Sequence, residues 1–569
     1  MIHLKPSFNE YKYEQINLAE KEKQTKLLLS KLEQAESLQI TINLIIEINS
    51  IRNHTQTQFN LAYIRASIDT NDAFYSNERD FFDENMPKIQ HLDNLFYKAL
   101  LKSKHINGLK EHFGNQLFSI AQISLNTYDP SVDELLIKEN KLVSKYDKLI
   151  ASANIEYNGE FLNLSQFSKY LIDQDRNVRK EAHQTKEQFF NDHLQKIDTI
   201  YDELVKIRHD IAIKLGYQNF IQLGYDRMER IGYDAEDVKV FREQVKEHVV
   251  PLTTKITEDH ARRIGLDRLK VYDENFTFKT GSPKPQISTK DIINNTKVMY
   301  HERSNETGKF IDFMIDRNLF DLEAKKGKES GGYCTIINDY KSPFIFANFN
   351  GTQGDIEVMT HEAGHAFQVF ESLKYSVPEY YFPTSEACEI HSMSMEYLTY
   401  PWMHLFFKDD TDKFKLSHLE DNIKFLPYGV AIDEFQHYVY EHPELSPEER
   451  RNFWTKLEEK YLPTRDYDHI SHLENGAFWH RQGHVFASPF YYIDYTLATI
   501  CAMQFYIKQE NDAEEAWTDY LKICQIGGSK SFIEIMKSVN LKSPFEKGTV
   551  KEIVDRLYSV SQKIDQSDF

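Results

Sequence analysis

Turn-forming residues are scarce in this chain. Glycine occurs 21 times and proline 16 times in 569 residues, about half their usual shares of roughly 7% and 5%. A chain that seldom reverses direction builds long elements joined by few tight turns. The sequence therefore predicts a mostly helical protein and argues against a sandwich, barrel or propeller. Its length corresponds to about three to four domain-sized units of roughly 150 residues, with cores that need no disulfides. The first ~200 residues fit this reading: Leu27, Leu28, Leu29, Leu32, Leu38, Ile45 and Ile46 recur near helical spacing among Lys, Glu and Gln. Glu134 to Ala151 and Asn177 to Leu215 share the texture, and together they read as antiparallel helical hairpins.

Charge narrows the partners. Lys plus Arg is 68 and Asp plus Glu is 88, a net charge of −20, so the global field repels phosphate backbones and anionic lipid. We expect neither a nucleic acid nor a membrane as partner. No run of 18 apolar residues occurs; the richest, Thr496 to Ile507, is broken by Thr499 and Gln504. Met1 to Glu20 lacks the apolar centre of a secretory leader. The four cysteines, Cys334, Cys388, Cys501 and Cys524, form no C-x-x-C pair and no disulfide framework. The expected location is the cytoplasm.

The texture changes after the glycine- and lysine-rich stretch Ala324 to Gly332. Tyr333 to Ile337 and Phe344 to Phe349 are short, aromatic and β-branched, with Asn338, Asp339, Ser342 and Pro343 between them. They read as a small hairpin. Directly downstream comes His361-Glu362-Ala363-Gly364-His365, an H-E-x-x-H. Asp355 is the expected N-cap of a helix running to about Phe370. On a helix, positions i and i+4 lie about 40° apart, so both imidazoles project side by side and can share one cation. Glu362 lies about 100° round from His361, near enough to reach a metal-bound water without being a ligand. Two imidazoles and a carboxylate suit zinc. Given 22 histidines, chance supplies about 0.07 such matches in a chain of this length.

A catalytic zinc needs a third protein ligand and an open position. Gln368 and Glu371 stand where a metzincin would carry Gly and His, which excludes that class. A second helix is predicted from Ser385, its N-cap, to Thr399, carrying Glu386, Glu389 and Glu396. Neither Glu386 nor Glu389 has an acid four residues on, as the thermolysin-like pattern requires. Glu389 and Glu396 are seven apart and lie within about 20° on one face. Glu389 could then bind the metal while Glu396 holds a histidine ring from behind. Glu386 remains an alternative ligand, although its place in the first turn also suits a plain dipole-favoured acid. His391 points about 200° away from Glu389 and reads as a packed histidine.

The run His361 to Phe367, followed by Glu389-Ile390-His391-Ser392-Met393-Ser394-Met395-Glu396, resembles the oligoendopeptidase F branch of the thimet oligopeptidase family. The resemblance favours Glu389 over Glu386 as third ligand, because that family places a Glu 28 or 29 residues beyond the first His and a second Glu seven later. A third segment, His484 to Tyr495, resembles the family's histidine followed by tyrosines that face the scissile carbonyl. Here Ser488-Pro489 predicts the start of a helix, and Tyr491 or Tyr492, with Tyr495, could share its cleft-facing side. His480 and His484 also stand four apart, but the resemblance makes His484 a hydrogen-bond donor and not a ligand.

The resemblance is specific from about Ser342 to Ala502. It implies a mainly α, zincin-like fold: a two-lobed helical clamshell around a deep channel, with a small β-sheet next to the H-E-x-x-H helix. We expect an N-terminal lobe of residues 1–200 and a catalytic lobe of 201–569. The implied activity is zinc-dependent hydrolysis of short unstructured peptides at internal bonds, with one zinc per chain held by His361, His365 and Glu389. Glu362 would act as general base, with Tyr495 and His484 as oxyanion donors. Tyr491 and Tyr492 compete for the substrate-facing place. Asp355 and Glu396 would orient the ligand imidazoles, and the strand residues Phe346, Ala347 and Asn348 would offer backbone hydrogen bonds to the peptide. The rival readings are a zinc carboxypeptidase, whose His-Glu-Ser motif is absent, and a peptide-binding protein with a dead site, against which the intact Glu362 argues.

Overall fold

The computed structural model describes residues 6–285, 287–566 and 569. Three long helices open the chain: α1 (Leu18–Gln34), α2 (Leu38–Ile68) and α3 (Ala73–Leu101). Each starts at a side chain that caps it. Asn17 accepts from the Glu20 amide, Ser37 from Ile40, and Asp72 from Phe74 and Tyr75. Leu28, Leu29 and Leu32 of α1 pack on Ile42, Ile45 and Ile48 of α2 and on Phe96, Tyr97 and Leu100 of α3. This N-terminal core has its own boundary and closes on Val377 and Tyr380 from far downstream. A hairpin of β1 (Ile155–Tyr157) and β2 (Glu160–Leu162) follows. Its two-residue turn, Asn158-Gly159, has both φ angles positive, at 52° and 78°, which gives the strands their matching twist. Strands of three residues carry too little alternation to be read from sequence.

A larger second core holds most of the later helices around a three-stranded sheet of β3 (Phe320–Glu323), β4 (Tyr333–Ile337) and β5 (Ser342–Phe349). The hairpin expected from sequence is present as the antiparallel pair β4 and β5, with Cys334 opposite Ile345. β3 adds to β5 in parallel, giving the order β3-β5-β4. β5 is thus the central strand, and Phe344, Ile345, Phe346 and Ala347 are fully buried. Four helices complete the surroundings of the site: α4 (Gly354–Ser372), α5 (Ser385–Leu398), α6 (Thr411–Glu441) and α7 (Tyr492–Asn511). Among the described residues no helix is long and apolar enough to cross a membrane.

Candidate active site

The two histidines of the H-E-x-x-H lie on α4, and the acid that meets them lies on α5. The helices approach this closely because of Gly364. A Cβ there would sit 2.7 Å from His391 O and 2.7 Å from Ser392 Cα, so any side chain would push backbone against backbone. The approach leaves Glu389 Oε2 3.2 Å from His361 Nε2 and 3.5 Å from His365 Nε2. Two atoms bound to one tetrahedral zinc at about 2.0–2.2 Å lie roughly 3.3–3.5 Å apart. The donor atoms of His361, His365 and Glu389 all fall within 4.8 Å of one another. The spacing and the two-nitrogen, one-oxygen donor set fit zinc.

Two of the three donors, His361 and Glu389, are oriented from behind. His361 Nδ1 is 2.6 Å from Glu396 Oε1, which leaves Nε2 to face the gap. The other oxygen of Glu396 lies 2.6 Å from His418 Nε2, and His418 Nδ1 is 2.6 Å from Tyr400 Oη. Ser392 Oγ donates to Glu389 Oε2 at 2.9 Å, and Tyr491 Oη donates to Glu389 Oε1 at 2.6 Å. Burial opposes charge on His361, but the Glu389 and Glu396 carboxylates outweigh it and raise its proton affinity well above the ordinary imidazole value. Burial likewise opposes charge on Glu389, yet the His365 and His361 imidazoles hold its carboxyl well below the usual range.

Glu362 is 7% exposed, and its Oε2 is buried without a hydrogen-bond partner. Burial raises its proton affinity, partly offset by His361 and His365. A buried carboxylate oxygen without a donor beside such a cluster is the arrangement a base needs to receive a proton. The other wall is formed by His484 and the tyrosines. Tyr428 Oη donates to Gln482 Oε1 at 3.2 Å, so the Gln482 amide nitrogen faces His484 Nδ1 at 2.8 Å. That network assigns the imidazole proton to Nε2, which lies 3.4 Å from Tyr495 Oη. Burial lowers the proton affinity of His484 and raises the pKa of Tyr495. A neutral imidazole and a protonated phenol therefore stand together as donors. Tyr491 is the tyrosine that turns to Glu389, whereas Tyr492 packs edge-on against Phe425 and Tyr428.

Several expectations need correction. Asp355 does not cap α4, whose N-cap is Gln353, and it does not reach the imidazoles. Its two oxygens accept from the Asn350 and Gly351 amides at 2.9 and 2.8 Å, fastening the turn between β5 and α4. Phe346 offers no free edge, because it pairs with Asp321 of β3 and with Tyr333 of β4, whereas Ala347 and Asn348 lie past the last β4 pair. The edges of the sheet belong to β3 and β4, and β4 is the one beside Glu362. On β4 Ile336 O is already taken by Asn60 Nδ2 at 2.7 Å, and the stretch from Gly332 to Thr335 has no such cap among the described residues. Gly332 borders Glu362: a Cβ on it would lie 3.6 Å from Glu362 Oε1. The Asn348 carboxamide instead donates to Glu329 O and Gly331 O, both at 2.8 Å, shaping that glycine loop. α5 begins one residue inside its cap, Thr384. α7 starts at Tyr492 and not at Ser488. Arg230 pins Phe490 O at 2.5 Å and Gln436 accepts its amide at 2.8 Å, holding Phe490 at φ 68°. Glu386 is buried away from the cluster, and His391 packs with Nδ1 2.7 Å from Ala387 O.

Comparison with known proteins bears on the family and the fold. Residues 8–128 match the Peptidase M3 N-terminal domain and residues 170–555 match Peptidase family M3. An oligoendopeptidase F homolog of Borreliella burgdorferi is 23% identical over 481 residues, 80% of this chain and 77% of that protein. The solved structure of PZ peptidase A with an inhibitor is 50% identical, with a TM-score of 0.96 over 98% of this chain and 99% of that one. A Bacillus anthracis str. Ames structure, provisionally described as an oligoendopeptidase F, is 48% identical, with a TM-score of 0.92 over 99% of both chains. With the mainly helical fold and the peptidase relatives in agreement, this chain belongs to peptidase family M3.

Proposed function

We propose that this peptidase is a zinc-dependent endopeptidase of short unfolded peptides and that it works in the cytoplasm. The observation that carries the reading is the meeting of His361, His365 and Glu389 from two helices, with the unpartnered Glu362 Oε2 beside them. His361 Nε2, His365 Nε2 and Glu389 would hold one zinc. When bound, zinc supplies a Lewis acid and lowers the pKa of a coordinated water toward about 7. Glu362 takes the water's proton as general base and later returns it to the leaving amine. Its raised proton affinity suits both transfers. Tyr495 Oη and His484 Nε2–H aim at the oxygen on which charge develops, as preorganised donors. Tyr491 and Ser392 hold the Glu389 carboxylate, and Glu396 holds His361. The uncapped edge from Gly332 to Thr335 is suited to pair with an extended peptide alongside Glu362.

The four cysteines are free, which accords with a reducing compartment. The inhibitor-bound relative supports a peptide as substrate. The test uses a peptide blocked at both ends. Internal cleavage that stops on chelation and returns with zinc is the expected result. Activity only on peptides with a free C-terminus, releasing one residue at a time, would replace this reading with a carboxypeptidase. No cleavage by zinc-loaded protein would leave a binding protein.

A further inference from the structure

We propose that the cavity behind His484 is a subsite for a carboxylate of the bound peptide, received by Arg481 with Arg465 beside it. The cavity measures about 390 Å³ and shares a wall with the site. Gln482, whose amide faces His484 Nδ1 at 2.8 Å, lines it. So does Phe425, whose ring packs edge-on to Tyr492 at 5.6 Å and Tyr495 at 6.4 Å.

Although the chain carries a net charge of −20, three cations face this space: Lys424, Arg465 and Arg481. They differ in how far the protein already uses them. Lys424 is committed to Asp421 at 2.6 Å. Arg465 meets the other lining acid, Glu274, only at 3.4 and 3.5 Å, too long for a strong charge-assisted bond. Arg481 gives Nη2 to Glu187 at 2.6 Å and leaves Nη1 without a protein partner among the described residues. A nearby acid, Glu458, accepts from Tyr467; burial pushes its pKa up to about 7, so it adds less than a full negative charge. The two guanidiniums are also rigid. Arg465 Cζ and Arg481 Cζ lie 4.3 and 4.1 Å from the centroid of the Phe478 ring. Planar forks held over an aromatic ring are pre-organised for a carboxylate and lose little freedom on binding it. In a cavity that borders a peptidase's catalytic wall, the anion at hand is the C-terminal carboxylate or an Asp or Glu side chain of the peptide.

This inference rests on the peptidase reading, and the experiment separates the two. Zinc-loaded full-length protein is given peptides with one to four residues beyond the cleaved bond. Each is made as free acid, as C-terminal amide, and as an amide with Glu at the last position. The expected result is a KM about tenfold or more lower for the free acid than for the amide at one preferred length, with kcat within about twofold. Recovery of the low KM by the Glu-containing amide assigns the site to carboxylates in general; no recovery assigns it to the chain terminus. In Arg481→Gln, whose amide can still donate to Glu187, the acid-to-amide ratio should fall to within about twofold of unity, and in Arg465→Gln part of the way. Circular dichroism melts check that both variants are folded. Equal KM values for acid and amide in the unmodified protein overturn the proposal, as does a ratio unchanged in both variants. Failure to cleave any of the peptides would remove the peptidase reading and this inference with it.

Discussion

Replacing Glu396 with glutamine tests whether the metal site depends on what stands behind its ligands. The two oxygens of Glu396 each lie 2.6 Å from an imidazole nitrogen, His361 Nδ1 on one side and His418 Nε2 on the other. Glutamine keeps one acceptor and turns the other into a donor, so one histidine must give way. His418 has an escape, because Tyr400 Oη lies 2.6 Å from its Nδ1. The proton can move to Nδ1, and Nε2 can then accept from the new amide. His361 has no such freedom if Nε2 is to bind a metal. It keeps a hydrogen bond to a neutral oxygen and loses the charge-assisted part, about 1–1.5 kcal/mol. Should the amide nitrogen turn toward His361 instead, the loss approaches about 3 kcal/mol. Zinc affinity is therefore expected to fall by roughly 10- to 100-fold. The assay is competition between the apoprotein and a chelator of known affinity, with kcat measured at saturating zinc. At saturation kcat should recover to within about tenfold of the unmodified enzyme. Zinc affinity within twofold of the unmodified protein would refute the reasoning.

Three further outcomes are expected. Glu362→Gln should lower kcat by about 10²- to 10⁴-fold while zinc stays bound, since glutamine cannot take a proton; near-normal turnover would remove the general base. The acid limb of kcat/KM should lie above the ordinary glutamate value of about 4.3. Burial raises the pKa of Glu362, so its basic form is lost as pH falls through that higher value, and a profile flat down to about pH 4.3 would contradict this. Gly364→Ala should destabilise the fold by about 1–3 kcal/mol in urea unfolding despite alanine's better helix propensity. The new Cβ would stand 2.7 Å from the backbone at His391 and Ser392, and unchanged stability would show that α4 and α5 can separate freely.

The parts of this site that could be read from sequence are those set by helix geometry. His361 and His365 face one way because four residues make just over one turn, and Glu389 and Glu396 share a face because seven make nearly two. What could not be read depends on elements distant in the chain. His418 sits on α6 with no local pattern to mark it, and Gln482 gains its role only because Tyr428 fixes which way its amide points. Ser392 is three residues from Glu389 and was within reach, since i and i+3 are neighbours on a helix. The hairpin was legible, but its place in the sheet was not. β3 is four residues long and joins β5 in parallel, which turns the apparent edge strand into the central one. Pro489 signals a helix start correctly by local rules. Arg230 and Gln436 override it from other parts of the chain, and Gly224 leaves the room that Phe490 fills, since a Cβ there would stand 2.6 Å from the ring.

The backbone beside Glu362 is moored at two ends. Asn348 ties Glu329 O and Gly331 O to the sheet. Glu329 also accepts from Ser67 Oγ at 2.6 Å and from Arg79 at 3.1 Å, and Gly327 O accepts from the Thr70 amide at 2.6 Å. Those partners lie at the end of α2, in the turn after it and on α3, in the half of the molecule that supplies no donor to the metal cluster. Swinging those rods outward would either break these three tethers or drag with them the edge from Gly332 to Thr335 proposed to pair with a peptide. Any displacement of that half is therefore coupled, mechanically, to the strand edge beside Glu362.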